Sequence, residues 1–166
     1  MATMPEIHFR LVAVSGDGSA AAALHYGAVL TAYRWTKPNG FMSLGTLPGN
    51  TSATPGAISV DGSAIVGTAE GGINPTTAFR WRITSQQTGQ GVMNSLGVLP
   101  GSMFSRATSV SADGATAVGV CDSGPEILVV PFKWVLTNPS TGAGTMVALP
   151  SNALGPGWVN VRSISG

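Results

Sequence analysis

Apolar positions in this chain come in short alternating runs, cut every few residues by Gly, Pro, Asn, Asp or Ser. No stretch holds a sustained 3.6-residue period, so the pattern predicts strands and turns throughout. Residues 57–60 read as a short strand, and Asp61-Gly62 as a two-residue hairpin turn. Residues 63–69 form the returning strand, rich in Ile and Val, and 70–76 a loop with two Gly, an Asn and a Pro. Residues 77–83 form a third strand with Phe79 and Trp81 on one face. A polar loop, 84–91, leads to a fourth strand, 92–99, which Pro100-Gly101 stops. The same order appears earlier: strands 10–15, 19–25, 29–35 and 41–47, with turns at 16–18 and 37–40. It appears again as 107–111, 115–121, 127–136 and 145–149, with an outer loop at 138–142. The alanine run 20–24 is compatible with one helical turn, but its counterparts read as strand.

The repetition is explicit. Asp17-Gly18, Asp61-Gly62 and Asp113-Gly114 each precede an aromatic-basic-Trp triplet: Tyr33-Arg34-Trp35, Phe79-Arg80-Trp81 and Phe132-Lys133-Trp134. Leu-Gly-x-Leu-Pro-Gly closes the first two units, and Val147-Ala148-Leu149-Pro150-Ser151 the third. The Trp-to-Trp steps of 46 and 53 residues mark a tandem array of supersecondary units. One repeat domain, 1–166, thus divides into units 7–49, 50–101 and 102–151 and a partial fourth, 152–166. Ser163-Ile164-Ser165-Gly166 aligns with Ala13-Val14-Ser15-Gly16, which makes 158–165 a spare strand. Its Trp158, Val159, Val161 and Ile164 are candidates for an intersubunit contact, because an unpaired edge invites another chain. Either this strand completes a neighbouring subunit or the chain is a piece of something longer. The expected fold is all-β, three four-stranded propeller-like blades plus the spare C-terminal strand. Propellers close with about four to eight blades, so a two-fold pair of chains would make a six-bladed ring. A threefold β-trefoil or β-prism is the alternative, against which the spare strand argues.

Composition narrows the partners. Charged residues are 9% of the chain, against about 25% in an average soluble domain. With a formal net charge of +1 and no basic cluster, electrostatic capture of nucleic acid or of an anionic membrane is not expected. The longest apolar runs fall far short of a membrane span, so no membrane insertion is expected. The opening Met1-Ala2-Thr3-Met4-Pro5-Glu6 lacks the basic start and apolar core of a secretory signal. Cys121 is the single cysteine, which excludes an intrachain disulfide and a cysteine zinc site. It reads as a small buried strand residue.

Ala57-Ile58-Ser59-Val60-Asp61-Gly62-Ser63-Ala64-Ile65-Val66-Gly67, Thr77-Ala78-Phe79-Arg80-Trp81 and Leu96-Gly97-Val98-Leu99-Pro100-Gly101 together resemble the three motif blocks of HAF repeats. These are bacterial extracellular repeats. The family's eponymous His is Thr31, Thr77 or Val130 here. The resemblance implies propeller-like blades in large surface or secreted proteins, and no known catalytic residues.

The candidate chemistry is sparse. Asp17, Asp61 and Asp113 offer one carboxylate per unit, whereas Ca²⁺ takes six or more oxygens, so these Asp-Gly pairs read as turns. Tyr33, Trp35, Phe79, Trp81, Phe132 and Trp134 recur once per unit and read as packing between neighbouring blades rather than as sugar platforms. Arg34, Arg80 and Lys133 point to the opposite face and read as structural partners of the three Asp. His8 and His25 occupy unrelated repeat positions, and no catalytic triad or metal spacing includes them. Glu70, Asp122 and Glu126 are the one acid set with a route to a common rim, where a glycosidase would need two facing carboxylates. No cofactor, metal or catalytic residue is expected. The function expected is a non-enzymatic structural or adhesive module of an extracellular, cell-surface or virion assembly, such as a phage tail. It would act by association with copies of itself or with other subunits. A glycan-binding module is the alternative, and a glycoside-active enzyme a more distant one.

Overall fold

The computed structural model describes residues 8–122 and 129–150. The described residues form twelve strands and no helix. They make three antiparallel four-stranded meanders, each in simple sequential order. The first sheet is β1 (Phe9–Val14), β2 (Ala20–Tyr26), β3 (Leu30–Thr36) and β4 (Gly40–Ser43). The second is β5 (Ser52–Ile58), β6 (Ala64–Glu70), β7 (Thr77–Ile83) and β8 (Gly91–Gly97). The third is β9 (Phe104–Val110), β10 (Thr116–Asp122), β11 (Val129–Asn138) and β12 (Ala143–Ala148). These are propeller-like blades, stacked face to face with their first strands adjacent.

The third strand of the second unit falls where the pattern places it, while other boundaries differ. The first strand of each unit starts earlier than the alternation suggests: Ser52 rather than 57, and Phe104 rather than 107. A bulge at Val12, Gly56 and Thr108 breaks the pairing register of β1, β5 and β9 at the same point, and so breaks the two-residue period there. β4 ends at Ser43; Leu44 N–H still donates to the Ala32 carbonyl of β3 at 2.9 Å, and the Leu44 and Leu47 side chains pack between blades.

The hairpin after each first strand also differs from expectation. Asp61-Gly62 is not a two-residue loop. Ser59 N–H donates to the Ala64 carbonyl at 2.8 Å and Gly62 N–H to the Ser59 carbonyl at 3.0 Å, which encloses four residues, 60–63. Gly62 carries the positive φ of 68° that closes the turn. Gly18 and Gly114 repeat it at 70° and 69°.

Two apolar clusters form the core, and each lies between blades rather than within one. Phe79, Trp81 and Ile65 of the second blade pack against Ala22, Ala32, Leu44 and Leu47 of the first. Phe132, Trp134 and Ala117 of the third pack against Val66, Ala78, Leu96 and Leu99 of the second. Each blade thus lays its aromatic face on the blade before it. Burying an indole removes roughly 150–250 Å² from water, on the order of 4–6 kcal/mol before the entropy of ordering. That burial makes the Trp ladder the chief cohesion of the array.

Candidate functional site

The Ser-x-Asp-Gly turns have one design in all three blades. The Ser15 hydroxyl donates to the Asp17 carboxylate at 2.7 Å, and Ser19 N–H donates to the same oxygen at 2.9 Å. Ser15 Oγ in turn accepts from Ala20 N–H at 3.0 Å. Ser59 with Asp61, and Ser111 with Asp113, repeat the arrangement with distances of 2.6–2.9 Å. The carboxylate therefore serves its own loop. The Ser19 N–H and the Ser15 hydroxyl hold Asp17 down to about 2. Burial pushes Asp61 up, but the Ser59 hydroxyl and the Ser63 N–H outweigh it, and the net direction is down. The Ser111 hydroxyl and the Ala115 N–H lower Asp113. Sequence reasoning gave the Ser no role. Its constant place two residues before each Asp is the signal that was available.

The basic residues do not bond to the Asp side chains. Arg34 is buried, and its Nε donates to the Gly62 carbonyl of the next blade at 2.9 Å. Arg80 does the same to the Gly114 carbonyl at 2.7 Å. Desolvation lowers both guanidinium pKa values. The carboxylates of Asp61 and Asp17 counter this at Arg34, and those of Asp113 and Asp61 counter it at Arg80. Lys133, at the same position of the third blade, is exposed.

The turns are also joined through the main chain. Gly16 N–H donates to the Val60 carbonyl at 2.8 Å, and Val60 N–H donates to the Ala112 carbonyl at 3.1 Å. Gly16, Val60 and Ala112 are the same repeat position, one before each Asp. Each blade thus donates to the next, and among the described residues the row ends at Ala112.

The aromatic residues are brought together in two blades out of three. Trp81 and Trp134 are each 2% exposed, with Phe79 and Phe132 fully buried beside them. Trp81 packs against Gly91 and Trp134 against Gly144, where a Cβ would collide with the indole. Tyr33 and Trp35 are a correction to the expectation of inter-blade packing. They are half-buried, because no blade precedes the first among the described residues. Tyr33 instead makes edge contacts with Phe9, His25 and Phe41, and Phe9 stacks on Phe41 at 4.1 Å.

Repeat equivalence defines the open face position by position. Ile58, Ile65, Trp81 and Met93 of the second blade pack on the first. Val110, Ala117, Trp134 and Met146 of the third pack on the second. Their counterparts, Val14, Ala21, Trp35 and Phe41, line an open apolar recess of about 490 Å³ with Leu11. Leu11 is 66% exposed and Val14 65%. Trp35 has the one side-chain hydrogen-bonding group of these five residues.

Glu70 ends β6 and Asp122 ends β10, at corresponding points of adjacent blades. Glu126 lies outside the described residues, as do Trp158, Val159, Val161, Ile164 and the partial fourth unit. No group of three His, Cys, Asp or Glu that could hold a metal occurs among the described residues. Cys121 is buried in β10 with its Sγ 3.7 Å from Met146 Sδ, and burial raises its pKa. No described helix is long and apolar enough to cross a membrane.

No family model and no curated protein matches this chain. Solved structures do. A protein described as a TolB from Agrobacterium tumefaciens superposes with a TM-score of 0.56 at 15% identity, over 86% of this chain and 46% of that one. TolB from Acinetobacter baumannii superposes with a TM-score of 0.53 at 14% identity, over 83% of this chain and 31% of that one. At that identity the likeness shows the fold alone. The chain spans less than half the length of either neighbour.

Proposed function

We propose that this chain is a structural repeat module that acts by association, its open blade face seating on another apolar sheet within a larger surface assembly. The observation that carries this reading is the four-position set that packs on a preceding blade in the second and third units and lines an open recess in the first. The recurrent features support it as well. The Arg-to-carbonyl bonds, the main-chain row through Gly16, Val60 and Ala112, and the buried Trp81 and Trp134 all hold one blade to the next. The extracellular setting rests on the resemblance of the motif blocks to bacterial extracellular repeats. The recess favours an apolar protein surface over a glycan, because sugar binding needs several convergent polar groups and its lining is apolar. Hydrogen exchange of the full chain at rising concentration tests this. Amides of β1 and β4 gain protection as association proceeds, while those of β6 and β7 do not change. Protection of β1 and β4 that is independent of both concentration and added partner protein would overturn the reading.

A further inference from the structure

We infer that the partner of the open face is the third blade of a second copy of this chain, so that two chains close head to tail. This inference rests on the association reading above and names its partner.

Three independent repeat relations give the same docking. The first is apolar: Val14, Ala21, Trp35 and Phe41 present the set that elsewhere lies on a preceding blade. The second is the main-chain row, in which position Gly16 donates to Val60 and Val60 to Ala112. Continuing it, Ala112 N–H of one copy meets the Gly16 carbonyl of the other. The third is the basic position. Arg34 and Arg80 reach the Gly62 and Gly114 carbonyls of the following turn, so Lys133 reaches the Gly18 carbonyl of the second copy.

The glycines carry the imprint of that contact. A Cβ on Gly62 would lie 2.9 Å from Ala20 Cβ, and one on Gly114 would lie 2.7 Å from Ala64 Cβ, both in the preceding blade. Gly18 has the same φ but nothing within 4 Å of a Cβ. The position equivalent to Ala20 and Ala64 in the third blade is Thr116, which the docking brings against Gly18. Among the described residues, the third blade's trailing side thus offers an exposed Lys133 and Ala112 at the end of the main-chain row, and the first blade's leading side offers the matching carbonyls and the apolar recess. Such a contact joins unlike surfaces, and two of them related by a two-fold axis close a ring. Six blades fall within the roughly four to eight that close a propeller.

Light scattering on the full chain, with two substitutions on opposite sides, tests this. Leu11→Asp charges the leading face, and Lys133→Glu sets a carboxylate against the Gly18 carbonyl. Both residues are exposed, and circular dichroism with a melting curve confirms that each variant is folded. The wild type is expected to be a dimer and each variant a monomer at the same micromolar concentration. Mixing the two variants restores a dimer, because the Lys133→Glu leading face meets the Leu11→Asp trailing face intact. A dimer lost with Leu11→Asp, untouched by Lys133→Glu and not restored by mixing means that two leading faces meet. It overturns the head-to-tail ring while leaving association through the open face standing. A wild type monomeric up to high concentration overturns self-association altogether, and the open face then belongs to a different blade-bearing chain.

Discussion

Trp35 and Trp81 occupy the same repeat position in adjacent blades, yet one lines an open recess and the other is 2% exposed. Their local settings match: each sits in the second half of its blade's third strand, paired across to the fourth strand with Phe41 or Met93. The difference is the neighbour. Leu44 and Leu47 of the first blade pack in the cluster that buries Trp81, and no described residue does this for Trp35. A side chain's burial in a repeat array is therefore a property of its place in the stack as much as of its own strand.

The largest effect that tests this contrast is indole truncation. Trp81→Ala should cost about 3–5 kcal/mol, the range for a large core aromatic. Trp35→Ala should cost well under half of that in the isolated chain, read from urea unfolding at low protein concentration. Equal losses would mean that the first blade's face is covered after all. Next comes the glycine beneath the indole. Gly91→Ala sets a methyl against the Trp81 indole and the Arg82 carbonyl and should destabilise by about 1–3 kcal/mol. The substitution Phe41→Ala, on the open side, removes the stack on Phe9 and should cost about 0.5–1.5 kcal/mol when association is suppressed by dilution, well below the loss for Trp81→Ala.

The basic position gives a smaller contrast of the same form. Arg80→Met leaves the Gly114 carbonyl without its donor and should cost about 1–3 kcal/mol. Lys133→Met in the diluted chain should stay within about 0.5 kcal/mol, as for an ordinary surface change. The smallest effect is on pH dependence. Hydrogen bonds hold the three folded carboxylates below the ordinary 3.8, with Asp17 at about 2. Their stabilisation is complete above the unfolded value and is lost as pH falls through the folded ones. The urea midpoint should be flat from neutral pH down to about 5, then fall between about 4 and 2. Replacing all three Asp with Asn should flatten that decline. An unchanged decline would move its origin elsewhere.

Much of this was legible along the chain. The Asp-Gly pairs marked the turn after each first strand, although not its length. That length depends on the Ser hydroxyl, which takes the place of a ladder partner by accepting from Ala20, Ala64 or Thr116. The alternation around Phe79 and Trp81 located β7 residue for residue. Alternation failed at β5, because the bulge at Gly56 shifts the inward-facing set by one position. Gly56 also marks a close approach that no periodicity reports: a Cβ there would lie 2.7 Å from the Ala107 carbonyl of the next blade. Asn50 was likewise missed. Its side chain donates to the Gly71 carbonyl at 3.1 Å and to that of Asn74 at 3.3 Å, tying the inter-blade linker to a loop more than twenty residues away.

Read alone, the chain determined that there are three like units, that each is a four-stranded sheet, and that one aromatic pair and one basic residue recur on opposite faces of each. Local propensity and two-residue alternation are enough for that, since they act between near neighbours. The tertiary structure decided the direction of stacking, the carbonyl rather than carboxylate target of Arg34 and Arg80, and the identity of the face left open. Those features join residues 28 and 34 positions apart, and a repeated motif looks the same whichever neighbour it meets.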